Sequence, residues 1–168
     1  VKPNASGSSF GVTKVKKQNE LLPAITEAFK ESDHVLMEEF IEGREISCGV
    51  MIAGGKEYIF PITELVCQSE FFDYKAKYQG FSNEITPADL PEAIRKEVNR
   101  LTLIAYKRLN CRGVVRIDFI VKDNTPYMIE INTIPGMSSH SIIPQQAAAM
   151  GMSLTELFNL IIDETSNK

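Results

Sequence analysis

The sequence predicts an α+β fold in which an antiparallel β-sheet is flanked by helices. Two stretches of period two, Arg44 to Ala53 and Glu57 to Leu65, are separated by a connection built on Gly54-Gly55. So short a link forces antiparallel pairing, because a parallel crossover takes a dozen or more residues. The two glycines can supply the positive φ of a tight hairpin. A second alternating pair, Gly113 to Val121 and Pro126 to Thr133, closes around Asn124. Apolar residues at helical spacing from about 18 to 31 and from 91 to 109 supply the flanking layer. With 168 residues, 43% of them hydrophobic, the chain can bury one sizeable core and has little room for two independent ones.

Taken in order, residues 1 to 3 and 12 to 16 read as extended, joined by the small stretch Asn4 to Ser9 into a hairpin with a mobile tip. Leu21, Leu22, Ile25, Ala28 and Phe29 mark the first helix, with Pro23 tolerated because it lies in the first turns. Val35 to Phe40 reads as a strand, followed by the Gly54-Gly55 hairpin. Residues 66 to 90 hold no sustained period but contain the cluster Phe71-Phe72-Asp73-Tyr74-Lys75-Ala76-Lys77-Tyr78, and a loop this long is usually functional or disordered. The second helix starts near Pro91 and buries Ile94, Val98, Leu101, Ile104, Ala105 and Leu109. After the second hairpin come a loop around Pro135-Gly136, a short helix near 144 to 150, and a last helix from Ser153, which forms a capping box with Glu156.

Composition excludes several classes. The net charge of −4 argues against a non-specific nucleic-acid binder, which needs a basic excess to release phosphate counterions, and against a polybasic membrane-surface protein. No apolar run approaches a membrane span and no secretion signal opens the chain, so a cytoplasmic location is expected. Cys48, Cys67 and Cys111 are widely spaced without a CxxC, which suggests reduced thiols and not a disulfide framework or zinc site. The chain opens at Val1 directly into an extended Val-Lys-Pro segment, as a piece of a longer protein would.

The most informative constellation is Arg116-Ile117-Asp118-Phe119 with Ile129-Glu130-Ile131-Asn132. Alternation puts Arg116 and Asp118 on one face, and a turn centred on Asn124 places Asp118 opposite Glu130 and Arg116 opposite Asn132. Facing carboxylates repel unless a cation lies between them, and oxygen donors from Asp, Glu and Asn suit Mg²⁺ shared with phosphates. The alternative is the solvated face of an antiparallel sheet on which Arg116 neutralises a carboxylate. Ser6 to Gly11 is either a phosphate-approaching loop or a surface turn, since the Walker spacing is absent, and Lys2 is either a phosphate contact or a solvated lysine. Glu38, Glu39, Glu42 and Glu45 form an acidic edge whose chemistry suits hydroxyl groups. His34 and His140 belong to no nucleophile arrangement and read as structural or surface residues.

Together, Val1-Lys2-Pro3, Gly7 to Gly11, Glu38 to Glu45, Tyr74 to Tyr78, Arg116 to Asp118, Glu130 to Met137 and Ser139 to Pro144 resemble the D-alanine–D-alanine ligases in order and spacing over essentially all 168 residues. The resemblance implies the C-terminal portion of an ATP-grasp enzyme of peptidoglycan precursor synthesis. Residues 1–41 would be part of the central subdomain and 42–168 the C-terminal catalytic domain. ATP would phosphorylate the carboxylate of one D-alanine, and the amine of a second would displace phosphate.

By that resemblance Lys2 and Lys77 contact ATP phosphates and the Ser8-Ser9 loop closes over them, with Ser9 and Tyr78 in the catalytic set. The main chain of Glu38, Glu39, Phe40 and Ile41 holds adenine, and Glu45 the ribose. Asp118, Glu130 and Asn132 ligate two Mg²⁺ ions, for which Mn²⁺ can substitute. Arg116 and the N–H of Gly136 stabilise the oxyanion, and Gly136, Ser141 and the N–H of Ile142 bind the second D-alanine. Tyr78 favours dipeptide over D-alanyl-D-lactate. Ile142 and Phe10 replace residues more usual in relatives, with little expected consequence.

The partners so implied are ATP and D-alanine, with no nucleic acid and no membrane, in a homodimer. The family also has a preceding region, including the glutamate that holds the first D-alanine's ammonium, to which nothing here corresponds. The chain alone is therefore expected to be catalytically silent. Two other readings stand beside this one: another ATP-grasp carboxylate–amine ligase, and a non-catalytic nucleotide- or metal-binding module.

Overall fold

A computed structural model describes residues 1–7, 9–67 and 82–166. The order of elements is β1 (Lys2–Pro3), α1 (Gln18–Ala28), β2 (Val35–Leu36), β3 (Arg44–Ala53), β4 (Lys56–Ile59), β5 (Thr63–Cys67), β6 (Ser82–Ile85), α2 (Glu92–Arg108), β7 (Val114–Lys122), β8 (Thr125–Asn132), α3 (Ile142–Ala149) and α4 (Leu154–Ser166). The α+β class with an antiparallel sheet and flanking helices is the one the sequence predicts. None of these helices is long and apolar enough to cross a membrane, among the described residues.

The chain divides into two compact units. The first comprises Val1–Ile41 with Cys67–Asn83. Its opening hairpin departs from expectation. β1 pairs antiparallel with β2, Lys2 opposite Leu36, while residues 12 to 16 form no strand. Val1 and Thr13 still exchange two main-chain hydrogen bonds, of 2.9 and 3.0 Å, so the expected pairing survives as a single rung. The strand expected over 35 to 40 stops at Leu36, and residues 37–43 lie in no helix or strand. At the start of α1 the Glu20 carboxylate accepts the N–H groups of Lys16 and Lys17, at 2.8 and 3.2 Å, which satisfies donors a helix start leaves unpaired.

The second unit, Glu42–Val66 with Glu84–Lys168, is built on β3. The sheet order is β6-β5-β3-β7-β8, with β4 also paired to β3. The single strand expected from 57 to 65 is two, because Pro61 has no N–H for the ladder: β4 ends at Ile59 and β5 begins at Thr63. The stretch expected to be structureless from 66 to 90 contains β6, while the cluster from Phe71 to Tyr78 lies outside the described residues.

Period two divides the residues of β3 and β7 between two faces. Ile46, Cys48, Val50, Val115, Ile117 and Phe119 pack against Ile94, Val98 and Tyr106 of α2. Burial pushes the Cys48 thiol up to about 12, so it is a neutral core group. On the opposite face Met51 and Val114 pack with Phe60, Ile143, Ala147 and Leu157 under α3 and α4. These helices cover one end of that face, and the residues next along the strands are polar: Arg116, Asp118, Ser47 and Glu45. At α4 the expected capping box is present, Ser153 N–H donating to Glu156 at 2.7 Å and Glu156 N–H to Ser153 Oγ at 3.2 Å.

Two glycines permit close approach. A Cβ on Gly43 would lie 2.4 Å from the Val121 carbonyl oxygen, and one on Gly49 would lie 2.5 Å from Ile143 Cδ1 and 2.6 Å from Gln146 Oε1. Only glycine fits beneath α3.

Candidate active site

The register brings the sequence-selected residues of the second unit into two transverse rows. One row runs Glu130, Asp118, Ser47, Thr63, and the next runs Asn132, Arg116, Gly49. Asp118 faces Glu130 and Arg116 faces Asn132 as expected, but by a different route. The turn falls on Asp123 and Asn124, both at positive φ, which pairs Lys122 with Thr125 and sets the outer hairpin one residue out of the expected register. A β-bulge then leaves Ile129 without a partner between Met128 and Glu130 and restores the alignment at Asp118.

Asp118 is the hub. Its side chain is 11% exposed, and Arg116 grips it with two parallel bonds of 2.8 Å, Nε to Oδ1 and Nη2 to Oδ2. Asn132 Nδ2 donates to Oδ2 at 2.9 Å and reaches Glu130 Oε1 at 3.4 Å, so one amide bridges two carboxylates that would otherwise repel. Ser47, fully buried on β3, donates its hydroxyl to Oδ1. For Arg116, burial alone would lower the pKa, but the hydrogen bonds and charge of Asp118, with the charges of Glu130 and Glu84, outweigh it and hold the guanidinium above its ordinary value. This is an interlocked cluster and not a solvated sheet face.

The donor chemistry suits a hard divalent cation. Two carboxylates and an amide oxygen are the partial set that Mg²⁺ completes with water and phosphate oxygens. Among the described residues, no three or more His, Cys, Asp and Glu side chains are grouped so that they could hold a metal ion by themselves. Both Asp118 oxygens already accept N–H or O–H donors.

Glu45 lies on the same face of β3 as Ser47, two residues along. Four residues beyond Asn132 the chain reaches Gly136, where a Cβ would lie 2.8 Å from Ser141 Oγ, so the absent side chain lets this loop close on the start of α3. Ser141 stands at the N-cap with φ −79° and ψ 154°, makes no side-chain cap bond, and shares a hydrogen bond of 2.9 Å with Ser138 Oγ. Ile142 opens the helix, where the first amides have no intrahelical acceptor. Gln145 steadies this loop by donating to the His140 carbonyl at 2.8 Å and to Glu84 at 2.5 Å.

In the first unit, Lys2 makes a 2.7 Å ion pair with Glu38, and Lys14 Nζ stands 3.5 Å from the centroid of the Phe40 ring. Glu39 is exposed and Ile41 half-buried. Ser9 and Gly11 take positive φ, and a Cβ on Gly11 would lie 2.8 Å from Pro3 Cγ, so the small loop folds back on β1. Ser8, Lys77 and Tyr78 lie outside the described residues.

Two residues of the second unit escaped the sequence reading. Ser47 was detectable in principle, as the polar member between Glu45 and Gly49 on one face of a period-two strand, but its partner is known only once β3 is paired with β7. Gln146 gave no signal, because a glutamine before three alanines in a short helix looks like a surface residue.

The family model described as D-ala D-ala ligase C-terminus matches residues 1–163. A D-alanine–D-alanine ligase of Phocaeicola vulgatus is 51% identical over 97% of this chain and 51% of its own length. Among solved structures, a Bacillus anthracis D-alanine–D-alanine ligase complexed with ATP superposes with a TM-score of 0.81 at 33% identity, over 98% of this chain and 51% of that one. The D-Ala:D-Ser ligase of Enterococcus faecalis gives 0.83 at 34%, over 96% and 47%. The chain thus spans about half the length of the relatives it matches. In sequence and in fold, it belongs to the D-alanine–D-alanine ligase family and corresponds to that family's C-terminal part.

Proposed function

We propose that this chain is the catalytic part of an ATP-dependent ligase that joins two D-alanines for peptidoglycan precursors. The reading is carried by one observation: the interlocked Arg116, Asp118, Glu130 and Asn132 cluster lies in a chain half identical to a relative named D-alanine–D-alanine ligase. In the reaction the γ-phosphoryl group of ATP passes to the carboxylate of the first D-alanine, releasing ADP. The amine of the second attacks the acyl carbon and loses a proton, and phosphate leaves as the peptide bond forms.

Two Mg²⁺ ions, or Mn²⁺, held by Asp118, Glu130 and Asn132, supply charge neutralisation at the phosphates. Arg116 and the Gly136 N–H stabilise the oxyanion of the tetrahedral intermediate. Ser141 and the Ile142 N–H orient the carboxylate of the second D-alanine. From the 1–41 segment, assigned to the central ATP-grasp subdomain, Lys2, Ser8 and Ser9 bind phosphates and the main chain of Glu38 to Ile41 holds adenine. Glu45 takes the ribose, Lys77 reaches the phosphates, and Tyr78 helps to close the site and favours an amine acceptor. The working enzyme is a cytoplasmic homodimer.

The test is product identification by mass spectrometry. The chain is fused behind the preceding half of the Phocaeicola vulgatus relative and given Mg·ATP with D-alanine, D-serine and D-lactate together. D-alanyl-D-alanine with matching ADP is expected. D-alanyl-D-lactate sinks the argument from Tyr78, whereas ATP binding without product points to a non-catalytic nucleotide module. The 168 residues alone are expected to release no ADP, and steady D-alanine-dependent release from them would refute that.

A further inference from the structure

We infer that Gln146 is a positioning residue that ties the acceptor end of α3 to Asp118 through β3. Where Pro61 interrupts the sheet, Gly49 is left with no register partner on β4 or β5. The Gly49 carbonyl is taken by Phe60 N–H at 2.9 Å. The carboxamide of Gln146, fully buried, takes the Gly49 N–H and adds a donor at the Ser47 carbonyl. Its Oε1 accepts the Gly49 N–H at 3.0 Å, and its Nε2 donates to the Ser47 carbonyl at 2.9 Å and to Thr63 Oγ1 at 3.0 Å. A helix side chain thus acts as a peptide group in a broken ladder, with both of its N–H donors and its acceptor in use.

Ser47 makes this more than local packing. Its carbonyl receives Gln146 and its hydroxyl donates to Asp118 Oδ1. Two hydrogen bonds therefore connect α3, the helix that opens at Ser141 and Ile142, to the carboxylate at the hub of the cluster. Gly49 stands directly beside Arg116 in the register, so the same carboxamide also sets the strand next to the guanidinium. A displacement of β3 relative to α3 moves Ser47, and with it one of the donors that orient Asp118. The inference rests on the ligase reading for the roles of Ser141, Ile142 and Asp118.

The test compares Gln146→Met and Gln146→Glu in the fused enzyme described above. Methionine keeps the volume but leaves the Gly49 N–H unpaired and removes the Gln146 donor from the Ser47 carbonyl. Glutamate keeps an acceptor for Gly49 and puts an oxygen against the Ser47 carbonyl, unless it is protonated. Both variants are expected to raise the KM for the second D-alanine roughly tenfold, the effect of one or two lost buried hydrogen bonds, with the KM for ATP unchanged. The Gln146→Glu defect is expected to shrink as pH falls and the carboxyl regains a donor. Gln146→Met is also expected to speed hydrogen exchange at the Gly49 amide.

A lower melting temperature with unchanged KM values in either folded variant assigns Gln146 a purely structural role and overturns the inference while leaving the ligase reading intact. If the unsubstituted fusion makes no D-alanyl dipeptide, the reading fails and the inference with it.

Discussion

The two units hold their charged residues in opposite ways. In the first, Lys2 meets Glu38 in a pair whose side chains are 24% and 53% exposed, and Lys14 rests on a half-exposed Phe40 ring. Among the described residues each contact is single, and the strands behind it are two residues long. In the second, Asp118 accepts from Arg116, Asn132 and Ser47 at once, beneath 11% exposure and on the longest ladder of the molecule. Solvated single pairs exchange partners at little cost, whereas an interlocked buried set holds its geometry before any ligand arrives. The first arrangement suits groups that must let go of one anion to take another. The second suits groups whose spacing must already be right.

The largest expected break in this contrast is Asp118→Ala, which takes from the partly buried Arg116 its principal counter-charge and leaves Ser47 without its acceptor, and should cost about 3 kcal/mol in urea denaturation. A variant that unfolds at the wild-type midpoint would show that the cluster contributes no rigidity. Next is Gly43→Ala, whose new methyl group meets the Val121 carbonyl at 2.4 Å and should cost about 1–3 kcal/mol. Its control in the first unit is Gly7→Ala, where nothing lies within 4 Å and the melting temperature should barely move.

Lys2→Met removes a partly exposed pair and should change stability by ~0–1 kcal/mol, a difference that added salt reduces. In the fused enzyme the same substitution should raise the KM for ATP, which separates a ligand-facing lysine from a structural one.

The smallest effect concerns Glu156. The Ser153 hydroxyl and N–H hold its pKa below the ordinary 4.5. The stability this contributes is full above that value and lost as pH falls through the folded-state pKa. Wild type should therefore outlast Glu156→Gln in thermal melts at neutral pH, and the gap should close in acid.

Legibility followed the same division. β3, β7, β8 and α2 were readable because long period-two or period-3.6 runs face a single core. The opening hairpin misled because β1 finds its partner more than thirty residues away, at β2, and two-residue strands carry no period. Pro61 was visible but its consequence was not: the gap it leaves between β4 and β5 is bridged by Gln146, from a helix far along the chain. The facing of Asp118 and Glu130 was anticipated correctly from a turn that does not exist, and the Ile129 bulge supplied the residue by which that turn was misplaced.

That bulge also governs how the hairpin can vary in length. Because Ile129 takes up one residue between tip and cluster, the outer rungs from Phe119 to Lys122 are not in step with the inner ones. A chain with a three-residue tip and an unbulged β8 would present the same four side chains to the same neighbours. One residue can thus be traded between the tip and the bulge without reaching the chemistry, so the turn type at Asp123-Asn124 does not decide whether Asp118 faces Glu130.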